Sequence, residues 1–156
     1  MNPEIITITE KKIIGMKSEI CHNEYGKIVD LWKCFMPNKK NIKTINNELI
    51  AMQVYADFMN IDDAYDIWAC AEVTDFENIP DAMETFVISK GKYAVFHQKG
   101  VDASGLYQRI MTQWLPNSEY EIDARPHFQV MGEKYKNGSP DSEEDFYVPI
   151  KTINQL

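Results

Sequence analysis

Two stretches of this chain carry the same helical stripe, 79 residues apart. Ile28, Leu31, Trp32 and Phe35 fall at the i, i+3, i+4, i+7 spacing that puts side chains on one face of an α-helix, and the stripe stops at Pro37. Tyr107, Ile110, Met111 and Trp114 repeat the spacing and stop at Pro116. The same offset carries Gly26 onto Gly105, Pro37-Asn38 onto Pro116-Asn117, and Asp66-Ile67-Trp68 onto Asp145-Phe146-Tyr147, all without a gap. Two copies are too few for a solenoid, whose units need about three stacked neighbours. The expected outcome is one closed domain with pseudo-twofold symmetry, its repeats covering about residues 1–78 and 79–156.

Around the helices, Ile5-Ile8, Ile13-Met16, Leu49-Tyr55 and Ile67-Val73 read as strands, rich in apolar and β-compatible residues and broken by polar turns. In the second half Thr85-His97 reads as strand, Gly105-Leu115 as helix, Tyr120-Met131 as strand interrupted near Pro126, and Phe146-Lys151 as a final strand. Each half is strand-helix-strand-strand, and hairpin-like turns join the later strands. An α+β fold with largely antiparallel pairing follows, in preference to a doubly wound parallel sheet. Asn78-Ile79-Pro80-Asp81 is the seam between halves, and Lys136-Asn137-Gly138-Ser139-Pro140-Asp141 is a turn-rich loop.

A chain of 156 residues that is 44% hydrophobic supports one substantial core, so a single domain over 1–156 is expected. With 16 basic against 24 acidic side chains the formal charge is -8, and the resulting field repels phosphate backbones and anionic lipid. Neither direct nucleic-acid binding nor a membrane partner is expected. Cys21, Cys34 and Cys70 are odd in number and lack CxxC spacing, which argues for a reducing compartment. Charges interrupt every apolar run of the N-terminus, so neither a signal peptide nor a span is read there, and a cytoplasmic location is the expectation. His22, His97 and His127 are scattered without paired metal-ligand spacing. Ser104-Gly105 lacks the preceding glycine of a nucleophile elbow, and no glycine-rich phosphate loop is present. No metal and no cofactor are expected.

The second half carries Gly91-Lys92-Tyr93-Ala94-Val95-Phe96 with Gly100, then Trp114-Leu115-Pro116, Arg125-Pro126-His127-Phe128-Gln129, and Tyr147-Val148-Pro149-Ile150. In this order they resemble the GyrI-like small-molecule-binding family, the effector-binding domains of bacterial transcription activators; the resemblance spans nearly the whole chain and is clearest over residues 84 to 151. It implies two tandem strand-helix-strand-strand modules with a ligand groove between them. Its members include drug-sensing activators, a gyrase inhibitor and hydrolases of strained cyclopropane-bearing compounds, so fold does not dictate function. Gln129 stands where the family's F-E strand usually has a glutamate. A neutral amide can hydrogen-bond but cannot act as a base near neutral pH, so the resemblance implies a pocket that prefers neutral ligands.

Strand alternation puts Gln129 and Met131 on one face and Phe128 and Val130 on the other. If Phe128 and Val130 pack under the helices, Gln129 and Met131 face a groove; otherwise Gln129 is an ordinary polar residue. Trp68 and Tyr147, partners in the repeat, are either symmetric groove walls or core. Phe96 has one face of its strand toward pocket or core, and Tyr55 faces away from Ile50, Met52 and Val54 and is a further wall candidate. Glu143-Glu144-Asp145 reads as a solvated acidic turn, with an acid or base role left open.

The first functional expectation is a stand-alone, non-catalytic protein that captures a hydrophobic or aromatic small molecule, with a regulatory protein as a possible partner. Two alternatives stand beside it. One is a hydrolase of the cyclopropane kind, in which Glu72 or Asp145 would replace the missing carboxylate; the other is a topoisomerase inhibitor whose acidic surface imitates phosphates.

Overall fold

The computed structural model describes residues 2–21, 24–55, 64–99, 103–132 and 142–153. Apolar and β-branched runs form the strands β1 (Glu4–Ile8), β2 (Lys11–Ile20), β3 (Leu49–Tyr55) and β4 (Tyr65–Val73). Helix α1 (Gly26–Asn38) lies between β2 and β3 and buries Leu31 and Phe35 of the stripe. The helix runs one residue past Pro37, because a proline in the last turn forfeits a single N–H bond. Asn38 closes the end by donating its side-chain amide to the Cys34 carbonyl at 2.8 Å.

The second half contains β5 (Glu84–Ile88), β6 (Gly91–Lys99), α2 (Ala103–Arg109), β7 (Tyr120–Ile122), β8 (His127–Met131) and β9 (Glu143–Thr152). Thr85-His97, read as one strand, is two, parted at Ser89-Lys90. The expected helix Gly105-Leu115 is composite: α2 passes into a π-helical turn (Ile110–Trp114) and a 3-10 turn (Leu115–Asn117). Asn117 donates to the Gln113 carbonyl at 2.7 Å, as Asn38 does to Cys34. The sequence Lys136–Asp141, read as a loop, lies outside the described residues.

The nine strands of the described residues all pair antiparallel. At the middle of the sheet β3 pairs with β8; outward from β3 run β4, β2 and β5, and outward from β8 run β9, β6 and β1. The short β7 lies on β9 beyond the end of the β8 pairing, with Pro126 in the bend between β7 and β8. Within β2, Gly15 sits so close to β4 that a Cβ would collide with the Ala69 carbonyl oxygen and the Cys70 side chain. Only glycine permits that approach.

Both helical segments pack on the same face of the sheet, over separate cores. Under α1 lie Ile14, Ile20, Ile67, Ala69 and Ala71. Under α2 lie Ala94, Phe96, Phe146, Val148 and Ile150. Among the described residues the opposite face carries no helix, yet Ile13, Ile88, Met52 and Tyr93 are fully buried there. One cluster unites β1 and β5, the two ends of the strand order, with the central strands. The sheet therefore curls over this helix-free face and packs it against itself.

Candidate functional site

Cross-strand pairs share a face, so the ladder decides which side of the sheet each candidate occupies. Gln129 pairs with Ala51 on β3 and with Phe146 on β9, and Ala51 pairs with Ala69 on β4. Phe146 and Ala69 belong to the two helix-covered cores. The row Ala69, Ala51, Gln129, Phe146 therefore crosses the middle of the sheet on the helix side. At its centre, between the two cores, stand an alanine and a half-buried glutamine. Such small and polar residues leave the strip between the helices low and incompletely covered.

An aromatic row borders this strip. Tyr65 on β4 stacks on Tyr55 at the end of β3, with centroids 4.7 Å apart. Tyr55 meets the His127 ring edge-on at 5.3 Å, and His127 Nδ1 lies 2.8 Å from the hydroxyl of Tyr107 on α2. The row thus spans from the α1 core to the α2 helix across the seam. Burial pushes the Tyr55 and Tyr107 hydroxyls above the ordinary phenol range and pushes His127 down to about 3, so all three are neutral near pH 7. Hydroxyls, an imidazole and an amide offer hydrogen bonds; the rings offer apolar contact. That combination suits a flat or globular aromatic ligand.

The sequence candidates divide between the two faces. Gln129 and Met131 lie on the helix side together with Tyr55, and Phe128 and Val130 are the residues turned away from the helices, so of the two arrangements that alternation leaves open the one with Phe128 and Val130 under the helices is not adopted. The reason is that β8 pairs with β3 with Phe128 opposite Met52 and Val130 opposite Ile50, both in the helix-free core. Phe96 is on the helix side but beneath α2, 3% exposed and edge-on to Trp114 at 5.2 Å. Trp68 and Tyr147 lie on the helix-free face. Trp68 is 4% exposed against Phe86, and among the described residues its indole N–H has no hydrogen-bond partner. Tyr147 is half-buried and stacks on Phe128 at 4.5 Å with 14° between the rings.

A cavity of about 80 Å³ opens beside that stacked pair, lined also by Lys11, Glu48, Ile50, Glu72 and Asp145. It is about half the volume of the roughly 150 Å³ apolar cavity known to hold benzene, and charged side chains line it. A larger, open hollow of about 300 Å³ lies at the far end of the second helical segment against Trp114. Neither contains Gln129. The carboxylates Glu72 and Asp145 occupy the helix-free face, across the sheet from Gln129, where Glu72 pairs with Lys11 at 3.2 Å and Asp145 with His97 at 2.8 Å. Among the described residues no cluster of histidine, cysteine and carboxylate groups is arranged to hold a metal.

Tyr65, Tyr107 and His127 were not singled out from sequence. Tyr107 counted as core because it opens the second helical stripe. The signal that distinguishes it is its repeat partner, Ile28: a hydroxyl-bearing ring in place of an aliphatic side chain.

An antiparallel sheet carrying two helical segments on one face is a fold shared with the GyrI-like effector-binding domains of transcription regulators. The chain belongs to the family of integron-associated effector binding proteins, whose model matches residues 4–150. It is 27% identical over 154 residues to the transcriptional regulator BrlR of Pseudomonas aeruginosa, covering 96% of this chain and 56% of BrlR. The chain thus spans about half the length of that relative. The structure of SAV2435 bound to tetraphenylphosphonium has a TM-score of 0.73 at 12% identity, over 97% of this chain and 94% of that one. The C-terminal domain of EcmrR has a TM-score of 0.70 at 16% identity, over 97% and 98%. At these identities the two structures share the fold. Among the described residues no helix is long and apolar enough to cross a membrane.

Proposed function

We propose that this chain is a single small-molecule-binding domain that captures a hydrophobic, ring-bearing ligand on the helix side of the β3–β8 seam, in an effector-binding or sequestering role linked to transcription regulation. One observation carries the reading: the strip around Ala51 and Gln129 lies between two separate helix-covered cores and is walled by the row Tyr65, Tyr55, His127, Tyr107. Gln129 and Met131 supply a hydrogen-bonding group and a soft apolar contact on the floor. Trp68, Tyr147 and Phe96 act indirectly, by holding the sheet that presents this floor.

The groove lies between two copies of one module. Its support is the strand order, which reads the same outward from either side of the seam once β1 and β5 are exchanged, and the matching asparagine bonds at the helix ends. A regulator such as BrlR and a fold relative bound to tetraphenylphosphonium are the setting in which a binding role is the natural reading. The test is fluorescence titration with tetraphenylphosphonium and with neutral N-phenyl-1-naphthylamine. Saturable binding of at least one, weakened by Tyr107→Ala in a protein that still unfolds cooperatively, is the expected result. No binding of either probe would sink it.

A further inference from the structure

The helix-free face carries polar chemistry that the strip between the helices does not use. The cavity of about 80 Å³ on that face has an apolar floor, made by Ile50 and Val130 beside the stacked rings of Phe128 and Tyr147. Three carboxylates stand around the floor: Glu72 on β4, Glu48 at the entry to β3 and Asp145 on β9. Each is held through one oxygen. Lys11 donates to Glu72 Oε1 at 3.2 Å, Asn46 donates to Glu48 Oε1 at 3.1 Å, and His97 Nδ1 lies 2.8 Å from Asp145 Oδ1. Among the described residues the second oxygen of each of the three carboxylates has no hydrogen-bond partner.

Those three oxygens define what the cavity can take. A primary ammonium carries three N–H donors, one for each, whereas a quaternary cation has charge without a donor and a hydroxyl has a donor without charge. The local field has the matching sign: burial raises the pKa of the Tyr147 hydroxyl, and the charges of Asp145, Glu48 and Glu4 raise it further. A hard metal ion would meet hydrocarbon on one side, where it finds no oxygen ligands, while an alkyl chain gains by lying on Ile50, Val130 and the rings. The volume admits about five to eight water-sized groups, which is the size of a short alkylamine. Lys11 already shows the chemistry, since its own ammonium reaches one of the three carboxylates from the rim.

We infer that the helix-free cavity is a second binding site, for the primary ammonium end of a short aliphatic amine: Glu48, Glu72 and Asp145 accept its N–H donors, and its alkyl chain lies on Ile50, Val130 and the Phe128–Tyr147 stack. The site is on the opposite face of the sheet from the groove proposed above and stands or falls independently of it.

The test is titration with n-butylammonium, followed by NMR through the methyl groups of Ile50 and Val130, with tetramethylammonium and n-butanol as probes that lack the N–H donors and the charge respectively. n-Butylammonium should shift both sets of methyls saturably, with a dissociation constant of about 1 mM or below, within the ceiling for a ligand of about five heavy atoms. The Ala51 and Met131 methyls, on the helix side, should not move. The two control probes should bind at least about tenfold more weakly. Glu48→Gln, at an exposed position, should weaken n-butylammonium about tenfold with the melting temperature nearly unchanged. Lys11→Gln should tighten it several-fold by removing the competing ammonium, and Glu121→Gln, an equal loss of one charge on β7, should do neither. Equal affinity for tetramethylammonium, unchanged affinity in both Glu48→Gln and Lys11→Gln, or no saturable shift below about 20 mM would each overturn the site. Displacement of N-phenyl-1-naphthylamine by n-butylammonium would overturn it too, by placing both probes in one groove.

Discussion

The Tyr107 hydroxyl lies 2.8 Å from His127 Nδ1, so the second helical segment is tied to the central strand β8 by a contact between two largely enclosed polar groups. His127 is 1% exposed, and burial depresses its pKa from 6.5 to about 3. Between those values the unfolded chain binds a proton that the folded chain does not, so stability rises with pH across the window and is lost as pH falls from about 6.5 toward 3. His97 acts with the opposite sign. Asp145 and Glu143 raise its pKa, so its contribution is present below the unfolded value and is lost as pH rises through the raised one; its exposed ring makes that contribution small. Acid destabilisation should therefore dominate. Urea unfolding at about pH 7 and about pH 4.5 should show a loss of a few kcal/mol in wild type and a shallower loss in His127→Gln. An equal slope in both would assign the effect to other groups.

Trp68 and Tyr147, at corresponding positions of the two halves, face the same side of the sheet in different degrees of enclosure. Trp68→Ala removes a ring that is 4% exposed and should cost about 3–5 kcal/mol in denaturant unfolding. Tyr147→Ala breaks the stack on Phe128 at a half-buried position and should cost less, about 1–3 kcal/mol. Neither substitution touches the strip between the helices, so Tyr147→Ala protein that remains folded should bind an aromatic probe as wild type does. Loss of binding with unchanged stability would place the ligand on the helix-free face.

Much of the architecture is legible in the pattern of side chains, because helical stripes and strand alternation are one-dimensional. The stripe Ile28, Leu31, Trp32, Phe35 marks α1, and the run Leu49-Tyr55 coincides with β3. The break between β5 and β6 is not legible, since Ser89-Lys90-Gly91 is short enough to be read as strand. Which face of β8 meets the helices is not legible either. Alternation separates Gln129 from Phe128, but the side each takes depends on Ala51 and Phe146 as ladder neighbours, more than seventy and about seventeen residues away. The aromatic row has the same origin: Tyr65, Tyr55, His127 and Tyr107 come from four elements, and no local spacing relates them.

Two glycines test the backbone argument in opposite directions. A Cβ on Gly15 would strike the Ala69 carbonyl and Cys70 across the β2–β4 pairing, so Gly15→Ala must push two central strands apart. A loss of more than about 2 kcal/mol is expected. Around Gly26, at the start of α1, an added Cβ meets nothing within 4 Å. Gly26→Ala should be neutral or stabilise by up to about 1 kcal/mol, through the lower backbone entropy of the unfolded chain. Thermal unfolding of the two variants in parallel distinguishes them; similar melting temperatures would refute the close approach at Gly15.

Gln129→Glu adds a carboxylate at the centre of the strip, diagonal to Glu144 and opposite Ala51. Length and shape are nearly kept, so packing should survive, while the electrostatics change twice. A second negative charge strengthens attraction for a bound cation, and the two carboxylates, close together in a partly dry site, raise one another's pKa. The gain in cation affinity should therefore be about tenfold near pH 8 and smaller near pH 5, where one of the pair holds a proton. A neutral probe should bind equally or more weakly, because the new anion must be desolvated without a compensating charge. Raising the salt concentration should weaken the cation's advantage only modestly, since a ligand seated between the helices is screened less than a surface ion pair. If Gln129→Glu leaves cation binding unchanged, residue 129 does not face the ligand, and the groove must be sought elsewhere on the sheet.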